Sequence, residues 1–212
     1  MARVWQVWDS IPVPLSRENK KLVWGAVREG ARAKDFEIAL QWLLDYGVAG
    51  QVQRVTKPSV PLSAYVERNA FKLFTLDVGL LGAMAALDVA AILQPDQLFR
   101  EFKGSLTEQY VYQELVSQSA YADNPSTPYY WAGSAAEIDF VMQFSQGIVP
   151  IEVKAAENLQ SQSLRSYRQK FGPIVAVRTS LSKYREENTL VNVPLYAIGE
   201  VAGIIKSVAQ AH

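Results

Sequence analysis

Two carboxylates and one lysine, Asp139, Glu152 and Lys154, have the types and the spacing that could support phosphate chemistry. Asp139 lies in residues 137–144, where apolar and polar side chains alternate, and the other two lie in a second alternating stretch, residues 148–154. The residues between the stretches are typical of a turn. The sequence therefore predicts an antiparallel hairpin that brings the three side chains together.

The side chains on both faces of this hairpin favour one register. When Asp139 is placed opposite Glu152, the second face consists of apolar pairs: Ile138 with Val153, Phe140 with Ile151, and Met142 with Val149. A shift by one residue would place Asp139 against an apolar partner and disrupt both faces. We therefore expect Asp139, Glu152 and Lys154 to project, with Glu137, from one face of neighbouring strands.

Like charges on opposed strand positions destabilise a sheet unless something compensates them. A divalent cation such as Mg²⁺ or Mn²⁺ does so directly, because carboxylate oxygens are its preferred ligands. The metal lowers the pKa of a bound water, and Lys154 polarises a phosphate or holds the attacking water. The alternative is that Lys154 pairs with Asp139 or Glu152 on a solvated face of the sheet.

Glu108 is a further candidate with two open interpretations. Ser105 and Glu108 have the spacing of a capping box that begins a helix over residues 105–119. Glu108 also lies in line with Val111, Tyr112 and Leu115, an apolar stripe that directs it inward or toward a cleft.

The first part of the chain predicts two helices followed by a β-ribbon. Apolar spacing indicates helices near residues 16–27 and from Asp35 to about Gly47, and strands at residues 51–55 and 70–76. Residues 11–15, with two prolines, are expected to be extended. This outline is typical of a winged helix, a fold that binds DNA or only mediates protein contacts. Five basic residues support nucleic-acid binding or form a solvated helix end and loop: Arg28, Arg32, Lys34, Arg54 and Lys57.

An apolar segment, residues 77–93, predicts a connecting helix that Pro95 ends. The pattern changes after it, with strands expected at residues 128–131 and 173–177 and a helix at residues 161–171. We therefore predict two domains, residues 1–95 and 96–212.

Composition excludes several kinds of site. The 212 residues contain no cysteine, which rules out disulfides and Cys-zinc sites. The one histidine is His212, so a histidine general base is not expected. The net charge is zero, with 11 basic and 7 acidic residues in 1–72 and 10 and 14 in 73–212. No segment has the 18 consecutive apolar residues of a membrane span and no signal peptide is evident, so we expect a cytoplasmic protein without a membrane partner. No Walker A loop occurs, so this chain is not expected to bind ATP in that manner.

Asp139, followed by Glu152-Val-Lys154 and preceded by a helix with Glu108, resembles the PD-(D/E)XK nuclease superfamily. The resemblance covers residues 104–180. It implies an α+β fold in which the winged-helix-like segment precedes a restriction-endonuclease-like αβββαβ core with a mixed sheet. It also implies that Mg²⁺ or Mn²⁺ is bound by Asp139 and Glu152, with Glu108 as an auxiliary ligand. Lys154 would act on the phosphate.

The whole chain is similar to the C-terminal region, of unassigned function, of a prokaryotic set of predicted AAA+-type ATPases. The matching motifs include residues 9–12, 41–48, 71–80, 137–140 and 151–154. The P-loop module of that set is missing here, so ATP is implied only through that module.

These features lead to two functional hypotheses, and a third alternative is a purely structural or oligomerisation segment that binds neither metal nor nucleic acid. The first is a magnesium-dependent nuclease that acts on DNA or RNA. The second is a catalytically inactive module that binds DNA or protein, including its own ATPase module, and regulates the ATPase.

Overall fold

The computed structural model describes residues 2–15, 21–22, 24–88, 100–120, 126–134, 136–156 and 161–211. Contacts between Cα atoms divide the chain into two compact units. The first unit comprises Met1–Val52 and Asn69–Tyr110, and the second comprises Gln53–Arg68 and Val111–His212. The boundary predicted near residue 95 lies outside the described residues and stays a prediction.

The fold is α+β. The helices of the described residues are α1 (Ala2–Ser10), α2 (Pro12–Leu15), α3 (Trp24–Val27), α4 (Ala33–Asp45), α5 (Val78–Met84), α6 (Arg100–Ala120), α7 (Gln162–Phe171) and α8 (Val201–Ala211). Two 3₁₀ helices, Leu62–Tyr65 and Leu195–Glu200, accompany them. Within the described residues, none of the helices combines the length and the apolar character that crossing a bilayer requires.

The strands form one mixed eight-stranded sheet in the order β2-β1-β3-β4-β5-β6-β8-β7. Their bounds are β1 (Ala49–Val55), β2 (Val66–Thr75), β3 (Tyr129–Ala132), β4 (Glu137–Phe144), β5 (Gly147–Val153), β6 (Ala176–Ser180), β7 (Arg185–Glu187) and β8 (Leu190–Pro194). Strands β3, β4 and β5 pair antiparallel, whereas β5, β6 and β8 pair parallel.

In the first unit, α4 buries the apolar face that its sequence predicts: Phe36, Ala39, Leu40 and Leu43. Trp24 stacks on Phe36 at 6.1 Å between ring centroids and meets the edge of Phe71 at 6.2 Å. The extended conformation expected for residues 11–15 is wrong, because Pro12–Leu15 is helical. Proline is compatible with a first helical turn, where its missing N–H would have no intrahelical partner.

The second unit contains the part of α6 from Val111 onward and then β3, β4, β5, α7 and β6. This is the order of helix, three strands, helix and strand that the sequence predicts. The hydroxyl of Ser161 caps α7 by accepting a hydrogen bond from the Leu164 N–H at 3.1 Å. Gly172, with φ of 55°, ends the helix in a left-handed conformation that glycine adopts without strain. Leu164 and Tyr167 of α7 pack in the core with Trp131, Ile138 and Val141.

The predicted register of the β4–β5 hairpin is confirmed from the turn up to the Phe140–Ile151 pair, where the ladder ends. The expected pairs Asp139–Glu152 and Ile138–Val153 lie beyond this last pair. Phe140 pairs with Ile151 and Met142 with Val149. The expected strict alternation fails at one position, because Ile138 and Val141 belong to the same core cluster although they are three residues apart. An irregularity in the β3–β4 register between Tyr129 and Trp131 accounts for this, since an extra residue in a strand shifts the faces of those beyond it.

Candidate functional site

The carboxylate of Asp139 lies where the β4–β5 ladder ends. Its Oδ2 accepts a hydrogen bond from the backbone N–H of Val153 at 2.8 Å. The next N–H, that of Lys154, donates to the carbonyl of Thr179 at 2.9 Å. A side chain thus substitutes for a ladder carbonyl at the end of β5, and Asp139 is held beside the segment that carries Glu152 and Lys154.

Glu152 is 5% exposed and its two carboxylate oxygens have different surroundings. Oε1 lies 2.8 Å from Nζ of Lys154, whose side chain remains 32% exposed. Oε2 is buried and has no hydrogen-bond partner within the described part of the chain. Because a buried polar atom without a partner is costly, this oxygen is available for a ligand.

The donor set at the end of the hairpin suits a hard divalent cation. Asp139 and Glu152 both supply carboxylate oxygens, the ligands that Mg²⁺ prefers. The described residues contain no group of three or more histidine, cysteine, aspartate or glutamate side chains arranged to hold a metal ion. A cation here would therefore be held by two carboxylates and complete its coordination with water or substrate oxygens.

Glu108 belongs to the first unit, and the capping interpretation of this residue is wrong. Helix α6 begins at Arg100, so Ser105 lies within the helix and cannot be its N-cap. The Oε1 atom of Glu108 lies 3.0 Å from Nζ of Lys72, and the two side chains are 1% and 0% exposed. The inward orientation predicted from the apolar stripe is confirmed, and a role of Glu108 as a metal ligand stays a prediction.

A row of polar residues extends from Glu152 across the neighbouring strands. Glu152 pairs with Arg178 on β6, Arg178 pairs with Asn192 on β8, and Asn192 pairs with Arg185 on β7. Burial lowers the pKa of Arg178, as does the nearby charge of Arg185, while Glu187 raises it. A guanidinium keeps its charge despite such a shift, so this row carries buried positive charge next to Glu152.

The five basic residues proposed for nucleic-acid binding have varied surroundings. In the first unit, Arg28, Arg32 and Lys34 lie around the start of α4, on the solvent side. In the second, Arg54 Nη2 donates to the carbonyl of Ala132 at 2.6 Å and Nη1 lies 3.2 Å from Glu67. Nζ of Lys57 lies 5.9 Å from the centre of the Tyr65 ring. Arg54 is thus engaged within its unit, and the role of the set stays a prediction.

Sequence reasoning missed Arg178 and Arg185. The expected strand at residues 173–177 stopped short of Arg178, whereas β6 continues to Ser180. The available signal was the arginine within an otherwise apolar and hydroxyl-rich segment, since an arginine in a buried strand requires partners. Short β7, with Arg185, carried no apolar pattern, because all three of its residues are exposed.

Two parts of the chain match described families. Residues 103–198 match a domain of unknown function (DUF4143), and residues 1–91 match a second domain of unknown function (DUF8612). The first match spans Asp139, Glu152 and Lys154. Neither match covers half of the 212 residues, so each is a similarity of one part of the chain. The chain has no match among curated proteins or solved structures.

Proposed function

We propose that the second unit is a divalent-metal-dependent phosphodiesterase that acts on nucleic acid, with Asp139 and Glu152 as metal ligands and Lys154 as the group that acts on the phosphate. The observation that carries this proposal is the buried Oε2 of Glu152, which has no hydrogen-bond partner in the described residues. Lys154, 2.8 Å from the other oxygen of Glu152, supports it.

Each residue has a separate task in this proposal. The Val153 N–H holds Asp139 in place, so the carboxylate needs little reordering to bind a cation. Lys154 neutralises Glu152, and because its side chain is partly exposed, we propose that its ammonium group contacts a phosphate oxygen of the substrate. Bound Mg²⁺ or Mn²⁺ would supply Lewis acidity and a water of lowered pKa.

We further propose that the unit has the PD-(D/E)XK fold and that the chain is the C-terminal region of an AAA+-type ATPase. The element order from α6 to β6 supports the first proposal. The match to DUF4143, a domain found in AAA-ATPase-associated proteins, supports the second. We also propose that the first segment is winged-helix-like and that the protein is cytoplasmic. ATP binding is proposed only for a P-loop module of the ATPase.

The second candidate function is a DNA- or protein-binding regulatory module with an inactive site. Two observations favour it: Glu108 is engaged by buried Lys72, and the described residues contain no group of three metal-binding side chains. A site with two carboxylates binds divalent cations weakly. The protein would then have a nuclease-like fold without metal-dependent cleavage.

Cleavage of labelled single- and double-stranded DNA and RNA distinguishes these functions. For the nuclease, cleavage requires Mg²⁺ or Mn²⁺, stops with EDTA and is lost in Lys154→Ala. The matched control is Lys206→Ala, which removes an exposed lysine of α8 and should cleave like the wild type. Equal cleavage by Lys154→Ala and the wild type would reject the proposed role of Lys154, and binding without any cleavage would support the regulatory module.

A further inference from the structure

A cavity of about 270 Å³ in the second unit is lined by several arginines. Its lining includes Arg165 and Arg168 of α7, Arg178 of β6, and Arg185 and Glu187 of β7. We refer to these five residues as the arginine pocket. Four positive side chains and one negative one give the named residues a net charge of +3, an unusual concentration for a chain whose total charge is zero.

The guanidinium groups of Arg165, Arg168 and Arg185 have more donors than their contacts within the described residues use. A guanidinium has five N–H donors. Arg168 uses Nη2 to bind the hydroxyl of Thr189 at 3.0 Å, and Arg185 uses Nε to bind Glu187 at 2.9 Å. Within the described residues Arg165 makes no side-chain hydrogen bond or ion pair. Several N–H groups therefore remain for an anion that enters the cavity.

Arg178 is oriented before any ligand binds. It is 4% exposed, and its Nε donates to Oδ1 of Asn192 at 3.2 Å. The amide of Asn192 is itself fixed, since its Nδ2 donates to the carbonyls of Ser182 at 3.3 Å and Lys183 at 2.9 Å. A guanidinium held in one orientation loses little conformational entropy when it binds an anion, which favours affinity.

We propose that the arginine pocket binds a dianionic phosphate group, a phosphomonoester carried by a nucleotide or by the end of a nucleic-acid strand. Arginine forks fit phosphate oxygens in a bidentate manner. A phosphomonoester carries about −1.5 to −2 charges near pH 7, so it neutralises more of the pocket than a single carboxylate does. The site is distinct from the carboxylate pair and does not require it to bind metal or to be active.

Calorimetry and fluorescence anisotropy on the full chain test this proposal. The probes are inorganic phosphate, AMP, and a fluorescent oligonucleotide with and without a 5′-phosphate, all in EDTA so that metal binding at Asp139 and Glu152 cannot contribute. We expect the phosphorylated oligonucleotide or AMP to bind, and inorganic phosphate to compete with it. Competition between AMP and the phosphorylated oligonucleotide would show that both occupy the pocket, and the tighter of the two would identify the natural source of the phosphate.

Two variants with opposite expected effects make the test specific. Arg168→Gln removes charge-assisted hydrogen bonds and should weaken binding about tenfold. Glu187→Gln removes the one carboxylate of the pocket and should strengthen binding severalfold. Lys206→Gln, which neutralises an exposed lysine outside the pocket, is the control and should bind like the wild type.

Several results would overturn the proposal. Equal affinity for phosphorylated and unphosphorylated oligonucleotides would show a general attraction to the strand. Unchanged binding by Arg168→Gln, or weaker binding by Glu187→Gln, would show that the pocket does not hold the phosphate. A failure of metal-dependent cleavage would leave the phosphate site intact, because its binding is measured without metal.

Discussion

Lys72 and Glu108 form an ion pair that is almost completely excluded from solvent. Their atoms Nζ and Oε1 lie 3.0 Å apart, and the side chains are 0% and 1% exposed. The two residues are 36 positions apart in the sequence, on β2 and α6. Removal of one partner from such a pair leaves the other charge buried without its counter-ion.

We expect Lys72→Met to lower the free energy of unfolding by about 3–5 kcal/mol, since the Glu108 carboxylate would lose its counter-ion. Lys72→Met with Glu108→Leu should recover most of this loss, because both charges are then absent. Urea denaturation of the single and double variants measures both values. The exposed pair Arg185–Glu187, 2.9 Å apart, is the control, and its removal should change stability by about 1 kcal/mol or less. A double variant as unstable as the single one would contradict this account.

Metal binding should stabilise the folded protein, because a ligand that binds only the native state raises the melting temperature by mass action. Asp139→Asn and Glu152→Gln should each abolish the shift produced by Mg²⁺ or Mn²⁺ in differential scanning fluorimetry. Both variants should remain folded without metal. In Asp139→Asn the amide oxygen is still able to accept the hydrogen bond from the Val153 N–H. Glu152→Gln keeps the size of the side chain and removes a buried charge. Glu200→Gln, which changes a carboxylate outside the hairpin, should keep the shift. Lys154→Ala should keep it too, and a metal-induced shift that survives in Glu152→Gln would rule out this pair as the site.

Stability should fall at alkaline pH because burial raises the pKa of Tyr112 and Tyr167 in the second unit. Burial raises the pKa of Tyr112 from 10.0 to about 12 and raises that of Tyr167 as well. Between the unfolded and folded pKa values, the unfolded chain has released protons that the folded chain retains. The contribution of these two groups to the free energy of unfolding should therefore be constant below about pH 9 and fall above pH 10, by up to about 1.4 kcal/mol per pH unit for each group.

Tyr167→Phe tests this pH dependence, since it removes one titrating hydroxyl and retains the ring that packs against Trp131 and Phe171. Denaturation between pH 8 and 11 should show a smaller decline than in the wild type. Tyr196→Phe changes a tyrosine that is 84% exposed and should leave the slope unaltered. The same decline in Tyr167→Phe and the wild type would show that Tyr167 does not contribute.

Asn192 should be important for stability as well as for the orientation of Arg178. It is 1% exposed, accepts hydrogen bonds from Arg178 and from the hydroxyl of Ser180, and donates to two carbonyls. We expect Asn192→Ala to cost about 2–4 kcal/mol, because buried groups lose their partners. Thermal and chemical denaturation measure the loss. The control is Asn188→Ala, which changes an exposed residue with φ of 54° in the β7–β8 turn and reports the effect of backbone strain there. If Asn192→Ala lowers the free energy of unfolding no more than Asn188→Ala does, the proposed role of Asn192 is wrong.

The sequence alone determined the elements whose signal is local. The alternation in residues 137–154 predicted the hairpin and its register, since only one pairing puts apolar residues together at Phe140–Ile151 and Met142–Val149. The apolar face of α4 followed from helical spacing in the same way.

Only the tertiary structure decided the features that depend on contacts between distant residues. The partner of Glu108 is a lysine on another element, and no local pattern distinguishes that buried pair from a helix cap. The arginine pocket combines residues of α7, β6 and β7, which parallel pairing of β5, β6 and β8 brings onto the sheet near Glu152. The physical reason is that periodicity sets which side of an element is apolar, whereas the pairing of buried charges depends on which elements become neighbours.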